Sequence, residues 1–144
     1  MSNAIGIVDD IVTRLNTLSL AKAFSAQKRL FPRLEYRDID DLIVDVFASG
    51  QAWERENRCG THNKSYEITV IVAAPINQSQ TTANMNTELE GFIDFCEAVK
   101  EDLAPLRMNG FVLQEITQDE PFDFAGLQEM GLFFSLITLE YKGF

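Results

Sequence analysis

The clearest periodic pattern in the chain lies in residues 85–103 and predicts an amphipathic α-helix. Its apolar side chains recur at alternating spacings of four and three residues, which places them on one stripe of a helix. The other positions of this stretch include six acidic residues and one lysine. We therefore expect the helix to cover one face of a sheet and to expose a strongly acidic side. The stripe comprises Met85, Leu89, Phe92, Cys96, Val99 and Leu103.

The rest of the chain predicts one more helix and five strands. Apolar positions at helical spacing predict a helix over residues 5–18, and alternation between apolar and polar positions predicts the strands. The order α-β-β-β-α-β-β lacks regular strand–helix–strand alternation. It indicates a single α+β domain over residues 1–144, with a mainly antiparallel sheet packed by helices. The predicted strands are residues 24–28, 42–47, 66–74, 111–116 and 132–141.

Two polar connections stand out between these elements. Residues 49–65 are polar and rich in turn formers, which predicts a hairpin with an extended loop at its tip. Trp53 lies in this stretch, either as an exposed interface anchor or folded back on the sheet. Residues 117–128 are acidic and predict a second loop, and Asn109 with Gly110 predicts a turn.

Composition is that of an ordinary globular domain, with 46% hydrophobic and 24% charged residues. No apolar run approaches the roughly 20 residues that span a bilayer, and no secretory signal is visible at the N-terminus, so we expect no membrane association. The two cysteines, Cys59 and Cys96, do not form a disulfide framework and are expected to be free thiols.

The net charge of −10 is unevenly distributed along the chain. Residues 1–64 hold nine acidic and nine basic residues, whereas residues 65–144 hold thirteen acidic and three basic residues. Such acidity argues against general nucleic-acid binding, because phosphate contacts require clustered Lys and Arg. Two interpretations remain open: a solvated acidic surface, or the lining of a passage through which DNA slides without binding.

The basic residues of the neutral half are concentrated in residues 22–37, where five Lys and Arg face a single acid, Glu35. Interleaved aromatic residues would suit a nucleic-acid patch. The acidity of the other half favours a different interpretation, a basic edge that meets an acidic surface of this chain or of a neighbouring copy.

Candidate catalytic and metal sites are weak. Cys59 and His62 bring a thiol and the only imidazole close together, but two further metal ligands are missing and nucleophile–base pairs normally come from distant elements. No phosphate-binding glycine loop or nucleophile-elbow motif is present. We therefore expect no enzyme activity, no metal and no cofactor.

Taken together, the element order and several stretches resemble the tail terminator proteins of long-tailed bacteriophages and related prophages, small neck proteins also called tail completion proteins. The resemblance covers nearly the whole chain. Its most suggestive part is the closing strand, which ends in a Tyr-Lys pair. The stretches that carry it are IVDDIVTRLNTL, AFSAQKRLFPRLEYRDIDDLIVDVF, SYEITVIVAAP, TELEGFIDFCEAVKEDL, NGFVLQEI and GLFFSLITLEYKG.

The resemblance implies a homo-oligomeric ring, typically a hexamer, that caps the finished tail tube, ends tube polymerisation and joins the tail to the head side. The partners implied are the tail tube protein and a head-side connector or stopper protein, with DNA passing through the centre without specific binding. The implied location is the virion neck, after assembly in the host cytoplasm. The alternatives are another head–tail joining or head completion protein, and a small acidic adaptor or inhibitor module that binds a basic partner.

This interpretation assigns three groups of residues. The first forms the subunit interface, the second the hairpin tip that contacts the tube or a neighbouring copy, and the third an acidic loop at the lumen or the outer surface. The interface group is Lys28, Arg29, Phe31, Arg33, Arg37 and Glu97; the tip group is Trp53, Arg55, Arg58 and His62; the acidic group is Asp119, Glu120 and Asp123.

Overall fold

A computed structural model describes residues 3–18, 20, 22–30, 39, 41–55, 62–77 and 79–143. Three helices and six strands follow one another along these residues. They are α1 (Asn3–Asn16), β1 (Ala26–Lys28), β2 (Ile43–Arg55), β3 (His62–Pro75), α2 (Thr82–Leu103), β4 (Arg107–Met108), β5 (Phe111–Thr117), α3 (Phe124–Met130) and β6 (Leu132–Gly143).

The strands form one six-stranded sheet in the order β1-β2-β3-β6-β5-β4. Every pairing is antiparallel except that of β1 with β2, which is parallel. The predicted α+β class with a mainly antiparallel sheet is therefore confirmed. The closing strand β6 lies between β3 and β5, and apolar residues on both of its faces agree with this central position.

The hydrophobic core lies between one face of the sheet and the helices α1 and α2. Alternate residues of β3, among them Ile68 and Val70, are fully buried there and belong to the same cluster as Ile7 and Ile11 of α1. The predicted stripe of α2 packs into this core: its last four members are buried, and Met85 and Leu89 are partly buried against it. A fully buried aliphatic side chain contributes about 1.5–3 kcal/mol, so this stripe holds α2 on the sheet.

The predicted hairpin is confirmed, but the extended loop predicted over residues 49–65 is wrong. β2 continues to Arg55 and β3 begins at His62, and the two strands stay paired up to that end. The register shifts once, between Ala48 and Gly50. After this bulge, Gln51, Ala52 and Trp53 are all exposed, so this part of the strand has no buried face whose alternating apolar residues would reveal it.

Residues 117–128 were predicted to be a loop, and this is also wrong in part because helix α3 begins at Phe124. Asp123 occupies its N-cap position, and Gly131 ends it in the left-handed conformation with φ 64°. The helix has seven residues, too few for a helical period to be recognised.

A second short element that was not predicted from the sequence is strand β4, which forms a hairpin with β5. Asn109 and Gly110 connect the two strands with φ 52° and 82°, the positive values that a tight hairpin turn requires. The turn predicted at these two residues is confirmed. The first strand is also shorter than predicted, because Phe24 lies before it and packs edge-on against Phe95 at 5.1 Å between ring centroids.

Candidate interaction surfaces

The structure places two of the predicted interface residues at the first edge of the sheet. The Lys28 ammonium lies 3.0 Å from a carboxylate oxygen of Asp9, and Arg29 Nε lies 3.6 Å from Oδ2 of Asp45. Asp45 is fully buried, so its charge needs such partners. Leu30 follows with 74% of its surface exposed. We call Lys28, Arg29 and Leu30 the basic edge.

The remaining predicted interface residues lie elsewhere. Glu97 is exposed on α2 and accepts a hydrogen bond of 2.6 Å from Lys100, which also donates one to Gln118. The basic edge thus lies at the end of β1, whereas Glu97 lies on the outer side of α2. Phe31, Arg33 and Arg37 lie outside the described residues.

Trp53 lies in strand β2 rather than in a loop, and 59% of its surface is exposed. The Lys64 ammonium sits over its ring, 5.2 Å from the centroid, a contact that contributes about 0.5–1 kcal/mol at an exposed site. Trp53 is therefore exposed rather than folded back on the sheet, and its role as an interface anchor stays a prediction. Arg55 of β2 and His62 of β3 lie opposite each other in the strand register at the end of the hairpin. Arg58 lies outside the described residues.

The predicted acidic residues surround a groove of about 220 Å³ near the end of β5 and the start of β6. Its floor includes Phe122, which is buried, and Leu136, which is 47% exposed. No Lys or Arg in the described part of the chain forms an ion pair with the three carboxylates. We call this surface the acidic groove; its lining includes Asp119, Glu120, Phe122, Asp123, Phe134 and Leu136.

Three exposed apolar side chains belong to helix α3 and strand β6, the elements that follow the acidic residues of the groove. Phe124 is 54% exposed and packs edge-on against Phe122 at 4.7 Å between ring centroids. Met130, at the other end of α3, is 42% exposed. With Leu136, they account for three of the five large apolar residues that the described part of the chain exposes. The surface therefore combines apolar area with negative charge.

A second acidic feature was not predicted from the sequence. The register pairs Glu67 of β3 with Glu140 of β6, and Glu140 with Glu115 of β5, so three carboxylates form a row across three strands. This acidic row lies on the sheet face opposite the α1–α2 core. The hydroxyls of Ser49 and Ser65 donate hydrogen bonds to Glu67 and Glu140 at 3.1 and 3.2 Å. Only the register, which is invisible in a single sequence, brings these residues together.

The described residues offer little for catalysis or metal binding. No three His, Cys, Asp or Glu residues in the described ranges are grouped so that they could hold a metal ion. Cys96 is buried, and desolvation raises the pKa of its thiol to about 11, far from the low values of reactive cysteines. Cys59 lies outside the described residues, so its pairing with His62 stays a hypothesis. None of the described helices is long and apolar enough to cross a membrane.

Comparison with protein-family models and with curated proteins finds no match to this chain.

Proposed function

We propose that this chain is a structural neck protein of a long-tailed bacteriophage. Copies form a ring, a hexamer by the resemblance, that caps the tail tube, ends its polymerisation and joins it to the head-side connector or stopper protein in the virion. The observation that carries the proposal is the presence of two different exposed surfaces on one sheet. The basic edge lies at β1, and the acidic groove lies at the junction of β5 and β6.

Two different exposed surfaces on one chain support a head-to-tail assembly. In such an assembly one surface of a copy contacts the other surface of the next, and the result is a ring when the rotation closes. Strands β2 and β3 lie between β1 and β6 in the sheet, so the two surfaces are separate. Each copy therefore keeps one surface of each kind available to a neighbour.

The acidic row supports the passage of DNA without binding. Phosphate is repelled by carboxylates, and the chain carries a net charge of −10. Glu67 and Glu115 are exposed, and their row crosses the middle of the sheet face that α1 and α2 leave free. If that face lines the ring, DNA meets negative charge along its path.

The end of the β2–β3 hairpin supports a contact with the tail tube or with a neighbouring copy. Trp53 is large, rigid and exposed, which is the character of an interface anchor. Its ring is held by Lys64, so less conformational freedom is lost on binding.

The decisive test is deletion and complementation of the gene in its phage, with tail length measured by electron microscopy. We expect tails of irregular length, unjoined to heads, in the absence of the chain, and uniform joined tails when it is supplied. Uniform tails of normal length in its absence would refute the proposal.

A matched pair of variants tests the role of Trp53. Trp53→Ala should still form the oligomer but should lose binding to purified tail tubes in co-sedimentation. Gln51→Ala, two residues away on the same strand and also exposed, should bind like the wild type. Equal binding by both variants would exclude Trp53 as the anchor.

The acidic groove also favours a second candidate, an adaptor that binds a basic protein. A carboxylate-ringed apolar surface suits a segment with Lys or Arg and apolar side chains. A stable 1:1 complex with such a partner, without self-association, would favour this candidate over the ring.

A further inference from the structure

We infer that Asn109 is a site of spontaneous deamidation and that helix α1 sets the rate of the reaction. Asn109 lies against three residues of α1, which are Asn3, Gly6 and Asp10. We call these three residues the clasp. A modification of this kind does not depend on the neck function, so either proposal can fail without the other.

The turn between β4 and β5 contains the only Asn-Gly pair in the sequence. Both residues are exposed, so water reaches them. Deamidation begins when the backbone nitrogen of the following residue attacks the Asn side chain, and a glycine there hinders the attack least because it has no Cβ. Among the described residues, no atom beyond the chain neighbours of Gly110 lies within 4 Å of the place where a Cβ would be. The attacking nitrogen is therefore unobstructed.

The reaction needs water as its only co-reactant. The backbone nitrogen of Gly110 attacks Cγ of Asn109, a bond forms between these two atoms, and the bond from Cγ to Nδ2 breaks. Ammonia leaves with the proton of the Gly110 N–H, and a cyclic imide remains. Water then opens the imide at one of its two carbonyl carbons. The products are aspartate and isoaspartate, and in isoaspartate the main chain runs through Cβ and Cγ.

The clasp binds both the backbone and the side chain of Asn109. The Asp10 carboxylate accepts a hydrogen bond from the backbone N–H, and Nδ2 donates one to the carbonyl oxygen of Asn3 at 3.4 Å. The amide also lies directly over Gly6, where a Cβ would be 2.5 Å from Nδ2. Closure of the imide ring requires rotation about χ1 and ψ of Asn109, and the clasp restricts both. The reaction therefore proceeds mainly from molecules in which α1 has locally released the turn.

The products cannot re-form the clasp. A carboxylate oxygen replaces the Nδ2 donor and repels the carbonyl oxygen of Asn3, and the new negative charge lies on the residue whose N–H binds Asp10. Isoaspartate also lengthens the main chain by one carbon in a turn whose strands pair at Met108 and Phe111. A two-residue hairpin turn sets the strand register and has no place for an extra backbone atom. Deamidation therefore releases the β4–β5 hairpin from α1 irreversibly.

Peptide mapping measures the reaction at this one site. Full chains are incubated at neutral pH and constant temperature, digested with trypsin and analysed by fragmentation in a mass spectrometer. The tryptic peptide 108–142 contains no other Asn, and fragmentation separates Asn109 from the Gln residues of the peptide. The wild type should accumulate aspartate and isoaspartate at this position. An intact Asn109 in the wild type and in every variant below would overturn the site.

A matched pair of aspartate variants tests the control by α1. Asp10→Ala removes the acceptor of the Asn109 N–H and should accelerate deamidation at least about fivefold, because hydrogen bonds to charged groups are among the stronger ones. Asp9→Ala removes the same charge from the adjacent position, whose carboxylate pairs with Lys28, and should deamidate at the wild-type rate. Equal rates in the two variants would show that the clasp does not control the reaction.

Gly6→Ala separates the clasp from the general stability of the helix. Alanine normally stabilises a helix interior relative to glycine, which by itself would slow any reaction that requires α1 to open. Its Cβ, however, would displace the Asn109 amide from its position over Gly6. We expect faster deamidation in this variant than in the wild type. A slower reaction would show that helix stability governs the rate and would overturn the contact at Gly6.

Hydrogen exchange measures the release of α1 by the product. Asn109→Asp, and wild-type molecules with isoaspartate isolated by anion exchange, should both lose protection at the amides of residues 7–10 relative to the unmodified chain. Asn86→Asp adds the same charge at an exposed position of α2 and should leave this protection unchanged. Undiminished protection in both modified forms would refute the irreversible release, whatever the deamidation rate.

Discussion

Cys96 shows how burial on the α2 stripe sets the chemistry of one side chain. The thiol is removed from water, which disfavours its charged form and raises its pKa from 9.0 to about 11. A hydrogen bond with Ser135 acts in the opposite direction but is outweighed. The helical spacing of apolar residues in the sequence predicted that Cys96 lies on the buried side of α2. Cys96 packs in the core there.

This raised pKa predicts a loss of stability at alkaline pH. Between pH 9 and pH 11 the unfolded chain releases the thiol proton while the folded chain keeps it, so the free energy of unfolding falls as the pH rises. The slope reaches at most about 1.4 kcal/mol per pH unit. Urea unfolding of wild type and Cys96→Ala across this range measures it. A stability difference between the two proteins that does not change with pH would contradict the prediction.

Gly110 of the β4–β5 hairpin and Gly50 of strand β2 allow a matched test of backbone conformation. Gly110 has φ 82° and open space where a Cβ would lie, so Gly110→Ala should destabilise the protein by about 1–2 kcal/mol through backbone strain alone. Gly50→Ala meets only ordinary contacts, with Glu67 Cβ at 3.5 Å, and its φ is not positive. It should be neutral or stabilising by up to about 1 kcal/mol. Thermal unfolding of both variants checks the contrast, and equal losses would show that backbone conformation is not the cause.

Elements were predictable from the sequence where one side is buried and the other is not. The α2 stripe follows from this contrast, whereas the central position of β6 agrees with apolar residues on both of its faces. The outer half of the β2–β3 hairpin exposes side chains such as Gln51 and Trp53, so no period distinguishes it from a loop. Helix α3 was not predicted for another reason. Its apolar pattern is too short to show a helical period, and the signals that mark it are the cap residues Asp123 and Gly131.

The candidate surfaces could be predicted from the sequence only in part. The uneven charge and the acidic residues of the groove are visible along the chain. The acidic row is not, because Glu67, Glu115 and Glu140 are distant in sequence and meet only through strand register. The exposed apolar side chains of α3 and β6 are also hidden, since the exposure of Phe124 and Leu136 depends on how α3 packs beside β6.

The central position of β6 has a consequence for synthesis on the ribosome. Of the six strands it is translated last, yet β3 and β5 both pair with it. Until β6 emerges, the nascent chain has two unpaired strand edges facing each other, and such edges are templates for association with other chains. The sheet can therefore be completed only after its last strand is synthesised, and that strand inserts between β3 and β5. A chaperone that shields β3 on the nascent chain would protect the stage most prone to aggregation.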